Sequence, residues 1–239
     1  MAAVGDVRPL LMVHGWAGSF EHTWGRSGVV ELLSENGRHV IPYDLPGHGT
    51  ATKSHDPDDY RHLPQRFLRD VAGHAASSVD GSLDAVGFSL GAIVLLHALA
   101  MSPRTFGTVV LAGIGDGVFH PHDPARAERI LSGLEGRSEV GDVVARVFGK
   151  IGNEPHNDPK ALAAVLRRPR EDPISPEALA AISNPVVIAL GEKDFSAPAT
   201  RLAETLPNAT SVSLKNLDHF RTPESFDFID LLVRTFQSA

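Results

Sequence analysis

The sequence predicts a three-layer α/β protein, in which helices cover both faces of a mostly parallel, doubly wound sheet of about six strands. Short apolar runs of strand length alternate with amphipathic segments, which is typical of βαβ units. One such run passes through Gly-Phe-Ser-Leu-Gly directly into a run of helix formers. The alternation stops over residues 116–184, where no strand-like run occurs. We therefore expect a core over 1–115 and 185–239, with 116–184 inserted as a helical cap.

The strands are predicted where apolar residues are consecutive and do not follow the 3.6-residue period of a helix. A continuous apolar run is typical of a strand that is buried on both faces, as in a parallel sheet. Turn residues follow these runs, for example Pro46-Gly47 after the second. The predicted strands are Pro9–Val13, His39–Asp44, the run that opens at Leu83, Thr108–Ala112, Pro185–Leu190 and Thr210–Leu214.

The helices are predicted from apolar residues at helical spacing and from residues that stop a helix. Gly37 ends the first helix, and Ser102-Pro103 ends the helix after the Gly-Phe-Ser-Leu-Gly turn. Core helices are predicted at Ser27–Asn36, Leu63–Val79, Leu90–Met101, Pro198–Leu206 and Pro223–Phe236. Cap helices are predicted at Pro124–Leu134, Val140–Phe148, Asp158–Arg167 and Pro176–Ile182. The segment between Ser19 and Ser27 and the segment from Thr50 to His62 are predicted as polar loops.

Composition excludes several classes of function. The 239 residues, 42% of them hydrophobic, can bury one large core. A net charge of −7 without a Lys/Arg block argues against binding to nucleic acid or to an anionic membrane surface. The sequence has no cysteine, so it forms no disulfide and has no thiol nucleophile or thiolate metal site.

The N-terminal segment does not resemble a signal peptide, because it lacks a basic region followed by an apolar one. The most apolar helical stretch, Leu90–Met101, is too short to span a bilayer. These observations predict a cytoplasmic protein with no integral membrane segment.

The turn Gly87-Phe88-Ser89-Leu90-Gly91 lies between a predicted strand and a predicted helix, the context in which a G-x-S-x-G motif carries a nucleophile. A serine at the apex of so sharp a turn needs small residues two positions before and after it. The hydroxyl of Ser89 would then lie above the N-terminus of the helix, where free N–H groups can stabilise an oxyanion.

A serine nucleophile requires a base and a group that orients the base. Asp194 and His219 each follow a predicted strand, so the chain order is nucleophile, acid, base. In doubly wound sheets, ligands bind in the crevice at the carboxyl ends of the strands. Ser89, Asp194 and His219 each follow a predicted strand, so we expect their side chains to meet there. Glu192 and Asp116 are the competing candidates for the acid.

The predicted oxyanion hole uses the backbone N–H groups of Leu90, directly after the nucleophile, and of Trp16, directly after His14-Gly15. Five residues that adjoin these positions or lie in the cap are predicted to line the substrate pocket: His14, Gly15, Phe88, Phe148 and Phe220.

A metal site is the weaker interpretation of His120-Pro121-His122-Asp123. The segment has suitable residue types, but it lacks a fourth ligand and lies in a predicted loop, which favours a solvated edge of the cap. We predict no metal and no cofactor.

These motifs together resemble the α/β-hydrolase-fold superfamily, in particular its capped esterase, lipase and haloperoxidase-like serine hydrolases. The matching segments span nearly the whole chain in the order of that family: His14-Gly15-Trp16, Asp44–Gly49, Gly87–Gly91, Gly191–Asp194 and Asp218–Phe220. The resemblance implies the fold, a Ser-His-Asp triad and, in most members, a covalent acyl-enzyme.

The sequence departs from the family pattern at two places. Only thirteen residues precede His14, so the first hairpin of the family is expected to be absent, as in the branch of plant methylesterases and hydroxynitrile lyases. Asp218 precedes the base where many members have glycine, and it could either raise the basicity of the imidazole or compete to orient it.

The predicted function is hydrolysis of a carboxylic ester with a small or medium apolar acyl group; the partner is a small-molecule ester. A thioesterase, a carbon–carbon hydrolase or a lyase would have a similar sequence, because fold does not determine chemistry. A ligand-binding receptor that keeps the triad is the alternative from a different class.

Overall fold

The structure is a computed structural model, and it describes residues 7–121 and 123–237. The prediction about a signal peptide at the N-terminal residues and the part of the metal hypothesis that concerns His122 lie outside the described residues.

A six-stranded sheet, parallel at every pairing, forms the centre of the molecule. Its strands lie in the order β2-β1-β3-β4-β5-β6, so the chain winds from β1 to one edge and then from β3 to the other. This confirms the predicted doubly wound α/β architecture. The strands are β1 (Leu10–Val13), β2 (Val40–Tyr43), β3 (Leu83–Phe88), β4 (Phe106–Ala112), β5 (Val186–Gly191) and β6 (Ala209–Leu214).

Nine α-helices occur in the described part of the chain, four of them between β4 and β5. Those four are α4 (Pro124–Leu134), α5 (Val143–Gly152), α6 (Pro159–Arg167) and α7 (Pro176–Ala180). The others are α1 (Val29–Glu35), α2 (Leu63–Ala76), α3 (Leu90–Met101), α8 (Thr200–Thr205) and α9 (Phe226–Thr235).

Apolar side chains cover both faces of the sheet, because its strands alternate the direction of their side chains and both directions are buried. Leu11 and Val13 of β1 lie in the cluster with α2 and α3, whereas Leu10 and Met12 lie in the cluster with α1 and α9. The sheet therefore has helices on both sides, as predicted.

The helices between β4 and β5 pack over the carboxyl end of β1. Leu131, Leu134 and Leu162 form a buried cluster with Ala17, in the loop after β1. The indole Nε1–H of Trp16 also donates a hydrogen bond to the carbonyl of Leu162 at 3.1 Å. These contacts hold the insertion against the loop that follows β1. Its status as a separate cap domain over 116–184 stays a prediction.

Several element boundaries differ from the predicted ones because capping residues set them. Helix α5 begins at Val143 because the side chain of Asp142 accepts a hydrogen bond from the N–H of Ala145. Helix α9 begins at Phe226 because Ser225 caps it in the same way. The segments predicted as loops contain a π-helical turn at Glu21–Gly25 and a 3-10 turn at Pro57–Tyr60.

Candidate active site

Ser89 lies between β3 and α3 with φ +52° and ψ −114°, in the left-handed half of backbone space. A side chain seldom adopts this conformation, and such strain is concentrated at functional sites. The turn also needs its two glycines. A Cβ on Gly87 would lie 2.7 Å from the Cα of Ala92, and one on Gly91 would lie 2.5 Å from the carbonyl oxygen of His14. The sharp turn predicted from the sequence is therefore present.

A continuous hydrogen-bonded row joins Ser89, His219 and Asp194. The Ser89 Oγ lies 2.9 Å from Nε2 of His219, and Nδ1 of the same ring lies 2.9 Å from Oδ2 and 3.1 Å from Oδ1 of Asp194. The imidazole of His219 and the carboxylate of Asp194 are both buried. With Nδ1–H donating to the carboxylate, Nε2 is free to accept the proton of the serine hydroxyl.

The backbone after β5 fixes the carboxylate of Asp194. Its Oδ1 accepts a hydrogen bond from the N–H of Ser196 at 2.8 Å. The two competing acids bind elsewhere: Asp116 accepts the N–H groups of Arg201 and Leu202 at the start of α8, and Glu192 accepts the N–H of Asn216. Asp194 alone of the three is hydrogen-bonded to His219.

His14 ties the loop after β1 to the loop after β2. Its Nε2 accepts a hydrogen bond from the N–H of Leu45 at 3.0 Å, so Nδ1 carries the proton and donates to the carbonyl of Gly15 at 2.7 Å. Burial lowers the pKa of His14, which keeps the ring neutral and this donor pattern intact. The turn that carries Trp16 is closed by a bond from the N–H of Gly18 to the carbonyl of Gly15.

A cavity of about 430 Å³ opens beside Ser89. Trp16 and Leu90, whose N–H groups are the predicted oxyanion donors, line this cavity together with Ser89. Phe148 from α5 also lines it, and its ring packs edge-on against Trp16 at 5.6 Å between centroids. The two predicted oxyanion residues and Phe148 thus line the same cavity as Ser89.

Four residues that were predicted to line the pocket lie outside the cavity lining: His14, Gly15, Phe88 and Phe220. His14 is fully buried behind the loop that it orients. Gly15 lies against the Phe88 ring, because a Cβ there would be 3.0 Å from Cδ1 of Phe88. Phe88 packs against the His219 ring at 4.9 Å, and Phe220 packs against Phe148 at 5.0 Å, so these two rings contact residues of the site without lining the cavity.

Sequence reasoning missed two groups in the cavity wall. Phe195 directly follows Asp194, and its ring lies 4.3 Å from the His219 ring; adjacency to the acid was the available signal. Arg168 and Arg170 follow α6 and line the same cavity. One residue separates these two arginines in the insertion, and nothing in the sequence indicates that they are buried.

No group of three or more His, Cys, Asp or Glu residues within 7–121 and 123–237 is placed to hold a metal ion. His120 and Asp123 line the cavity near its exposed edge. Across the same described residues, no helix is long and apolar enough to cross a membrane.

Comparison with known proteins identifies the family to which the chain belongs. Residues 10–228 match the family described as the alpha/beta hydrolase family. Over 102 residues the chain is 36% identical to a pimeloyl-[acyl-carrier protein] methyl ester esterase of Methylococcus capsulatus, a segment that is 43% of this chain and 35% of that protein. The match thus spans about a third of the relative's length.

Two solved structures share the fold over nearly the whole chain. One is a 2-hydroxy-6-oxo-6-phenylhexa-2,4-dienoate hydrolase from Rhodococcus sp. strain RHA1, with TM-score 0.71, 18% identity and coverage of 98% of this chain and 92% of the other. The second is a thermophilic esterase from Thermogutta terrifontis, with TM-score 0.69, 18% identity and coverage of 98% and 92%. The chain belongs to the alpha/beta hydrolase family.

Proposed function

We propose that the protein is a serine hydrolase that cleaves carboxylic esters through a covalent acyl-enzyme. The observation that carries the proposal is the hydrogen-bonded row from Ser89 through His219 to Asp194, which opens on a cavity of about 430 Å³. A cavity of this size and mixed apolar lining suits a small or medium apolar acyl group.

The first half of the proposed reaction forms the acyl-enzyme. Oγ of Ser89 attacks the carbonyl carbon of the ester while Nε2 of His219 takes the hydroxyl proton. The N–H groups of Leu90 and Trp16 stabilise the oxyanion. As the tetrahedral intermediate collapses, the alcohol leaves with the proton from Nε2, and the acyl group stays on Ser89.

The second half releases the acid. A water molecule gives a proton to Nε2 of His219 and attacks the acyl carbonyl, and Ser89 recovers its proton when the carboxylic acid leaves. Asp194 keeps its negative charge throughout and stabilises the imidazolium that forms in both halves. The proposed reaction uses no metal and no cofactor.

The choice of an ester is supported by the esterase from Methylococcus capsulatus, which is similar to this chain over 102 residues. A thioester, a carbon–carbon bond and a lyase substrate remain the alternatives for the same site, because the fold hosts many reactions.

The test is steady-state hydrolysis of p-nitrophenyl esters of increasing acyl length, together with labelling by a fluorophosphonate. We expect Ser89→Ala and His219→Ala each to lose about a thousandfold or more in kcat/KM. Ser89 should displace fluoride from phosphorus, so a peptide that contains Ser89 should gain the mass of the reagent less that of HF. His39→Ala, at an exposed histidine, is the matched control and should keep the parent rate.

Full ester turnover by Ser89→Ala would overturn the proposal. Turnover of acyl thioesters without turnover of oxygen esters would identify a thioesterase. An absence of turnover on every acyl substrate, with a ligand that raises the melting temperature, would identify the receptor alternative.

A further inference from the structure

The cavity beside Ser89 extends along α3, away from the nucleophile. Ser89, Ile93 and His97 follow one face of that helix, and all three line the cavity. Eight residues of helix place His97 about 12 Å from Ser89 along the axis. Ile93 lies between them on the helix, and the apolar side chains of Leu96 and Leu166 also line the cavity. The cavity wall along α3 is therefore largely apolar.

The part of the cavity near His97 is cationic, because, in addition to burial, the charge of Arg168 reaches that ring and contributes to lowering its pKa. Arg168 lines the cavity and is only 3% exposed. Its Nη1 donates to the carbonyl of Val165 at 2.7 Å, while its Nε is buried without a partner. Arg170 lines the same cavity, and its Nε is also buried without a partner.

No carboxylate among the described residues forms an ion pair with either guanidinium. Glu171 is close enough to influence both charges, but it makes no ion pair, and its own Oε1 is buried without a partner. Burial and the neighbouring charge of Arg170 lower the pKa of Arg168 to about 9, which leaves the group protonated at neutral pH. Arg126 also lines the cavity and adds a third positive charge near Arg170. Asp123 and Glu171 are the carboxylates in the lining, so the arginines outnumber the carboxylates by three to two.

A purely structural role explains only part of this arrangement. The guanidinium groups of Arg168 and Arg170 bind the carbonyls of Val165 and Leu166 at the end of α6, where a cation is favourable. Capping a helix on the surface would serve the same purpose without burial. Glu171 offsets only part of the buried positive charge, and an excess of buried charge is costly. A negative group on the ligand can supply the remaining counter-charge.

We propose that this arginine-lined part of the cavity binds a carboxylate of the substrate, so that the ester carries a free carboxylate at the far end of an apolar chain. The proposal rests on the proposed ester hydrolysis for the position of the reacting bond. Guanidinium and carboxylate groups match in charge and geometry, and charge-assisted pairs of this kind are strong in a desolvated site. The carboxylate can belong to the acyl chain or to the alcohol chain.

The experiment compares matched pairs of substrates. One series consists of p-nitrophenyl monoesters of straight-chain dicarboxylic acids from succinate to sebacate, and each member has a neutral partner with a terminal carboxamide. A second series places the carboxylate on the alcohol, as butyrate esters of ω-hydroxy acids and their amides. The measured quantity is the ratio of kcat/KM for the carboxylate over kcat/KM for the amide.

We expect one series to show a ratio of ten or more at a particular chain length, since a bond to a charged group contributes on this order. Arg168→Gln and Arg170→Gln should each lower the ratio about tenfold, and Arg168→Lys should restore part of it. Arg146→Gln, at an exposed arginine of α5, is the matched control and should keep the parent ratio. Because Arg170 is less buried than Arg168, its variant keeps the test available if Arg168→Gln does not fold.

A ratio at or below one at every chain length in both series, or a parent ratio in the Arg168→Gln and Arg170→Gln variants, would overturn the proposal. A binding measurement distinguishes a failure of the carboxylate subsite from a failure of the proposed ester hydrolysis. Calorimetric titration of Ser89→Ala with suberate monoamide should show binding that Arg170→Gln weakens about tenfold, whether or not the parent turns over esters. No binding of suberate monoamide at millimolar concentration would also overturn the carboxylate subsite.

Discussion

The carboxylate of Asp218 accepts a hydrogen bond from the backbone N–H of Arg221 at 2.9 Å. The carbonyl of Asp218 accepts a second bond, from the hydroxyl of Thr222 at 2.8 Å. Asp218 therefore stabilises the turn that carries His219, while the Nδ1 of His219 binds Asp194. Of the two roles that the sequence left open for Asp218, competition for the imidazole finds no support in this arrangement.

Two matched substitutions distinguish the role of Asp194 from that of Asp218. Asp194→Asn should lower kcat by about ten-thousandfold, because the amide favours the wrong tautomer of the histidine. Asp218→Asn keeps an oxygen that can accept the N–H of Arg221, so we expect kcat within a few fold of the parent. The measurement is kcat on the best p-nitrophenyl ester, with circular dichroism to show that both variants fold. A loss in Asp218→Asn comparable to that in Asp194→Asn would assign Asp218 to the proton relay.

His48 should make the protein sensitive to acid. The ring is fully buried, and burial, with a smaller contribution from His14, lowers its pKa from 6.5 to about 3. The unfolded chain therefore binds a proton between pH 6.5 and about 3 that the folded chain excludes. Stability from this group is complete above pH 6.5 and falls with decreasing pH, by about 1.4 kcal/mol for each pH unit within that window.

Urea unfolding at several pH values between 4 and 7 measures this slope. His48→Asn retains an N–H that can bond the Pro46 carbonyl and should reduce the slope by about one proton. His74→Asn, at an exposed position of α2, is the control and should leave the slope close to that of the parent. Equal slopes in His48→Asn and the parent would show that His48 does not carry the acid sensitivity.

The nucleophile turn was predictable because its determinants are local. A strand, two glycines at fixed spacing and a helix are all visible within residues 83–101, and the structure has β3, the strained Ser89 and α3 there. The positions of Asp194 and His219 followed from the rule that loops at the carboxyl ends of parallel strands meet, and the observed sheet order brings them together.

The cavity wall was not predictable in the same way, because it depends on how the insertion folds back. Phe88 and Phe220 adjoin catalytic candidates in sequence, but their rings pack against His219 and Phe148 and do not line the cavity. Arg168 lies far from Ser89 in sequence, yet it lines the same cavity because α6 packs against the loop after β1. Position directly after a strand identified Asp194 and His219, whereas adjacency to a catalytic candidate did not identify which aromatic rings line the cavity.

Gly91 should not tolerate a side chain. A Cβ there would lie 2.5 Å from the carbonyl oxygens of both Val13 and His14, which belong to a buried strand and its loop and cannot move away. We expect Gly91→Ala to lower the free energy of unfolding by about 3 kcal/mol or more. Gly73→Ala is the matched control in α2, where no atom lies within 4 Å of the added Cβ. Because alanine favours a helix, this control should gain about 0.5–1 kcal/mol.

Urea denaturation of both variants measures the two effects. A parent-like stability of Gly91→Ala would contradict the close approach of α3 to the loop after β1 that the structure shows.

Phe148 should limit the width of the acyl chain near Ser89. Its ring lies between those of Trp16, at 5.6 Å, and Phe195, at 6.0 Å, and it lines the cavity. Phe148→Leu removes part of this wall while keeping an apolar side chain, so we expect kcat/KM to rise for branched or longer acyl groups relative to acetate. Val143→Ala, at an exposed position of the same helix, should leave the preference unchanged. Profiles of kcat/KM against acyl length for the three proteins provide the measurement. An identical profile in Phe148→Leu and the parent would place the acyl group elsewhere in the cavity and leave Phe148 as support for the Trp16 ring alone.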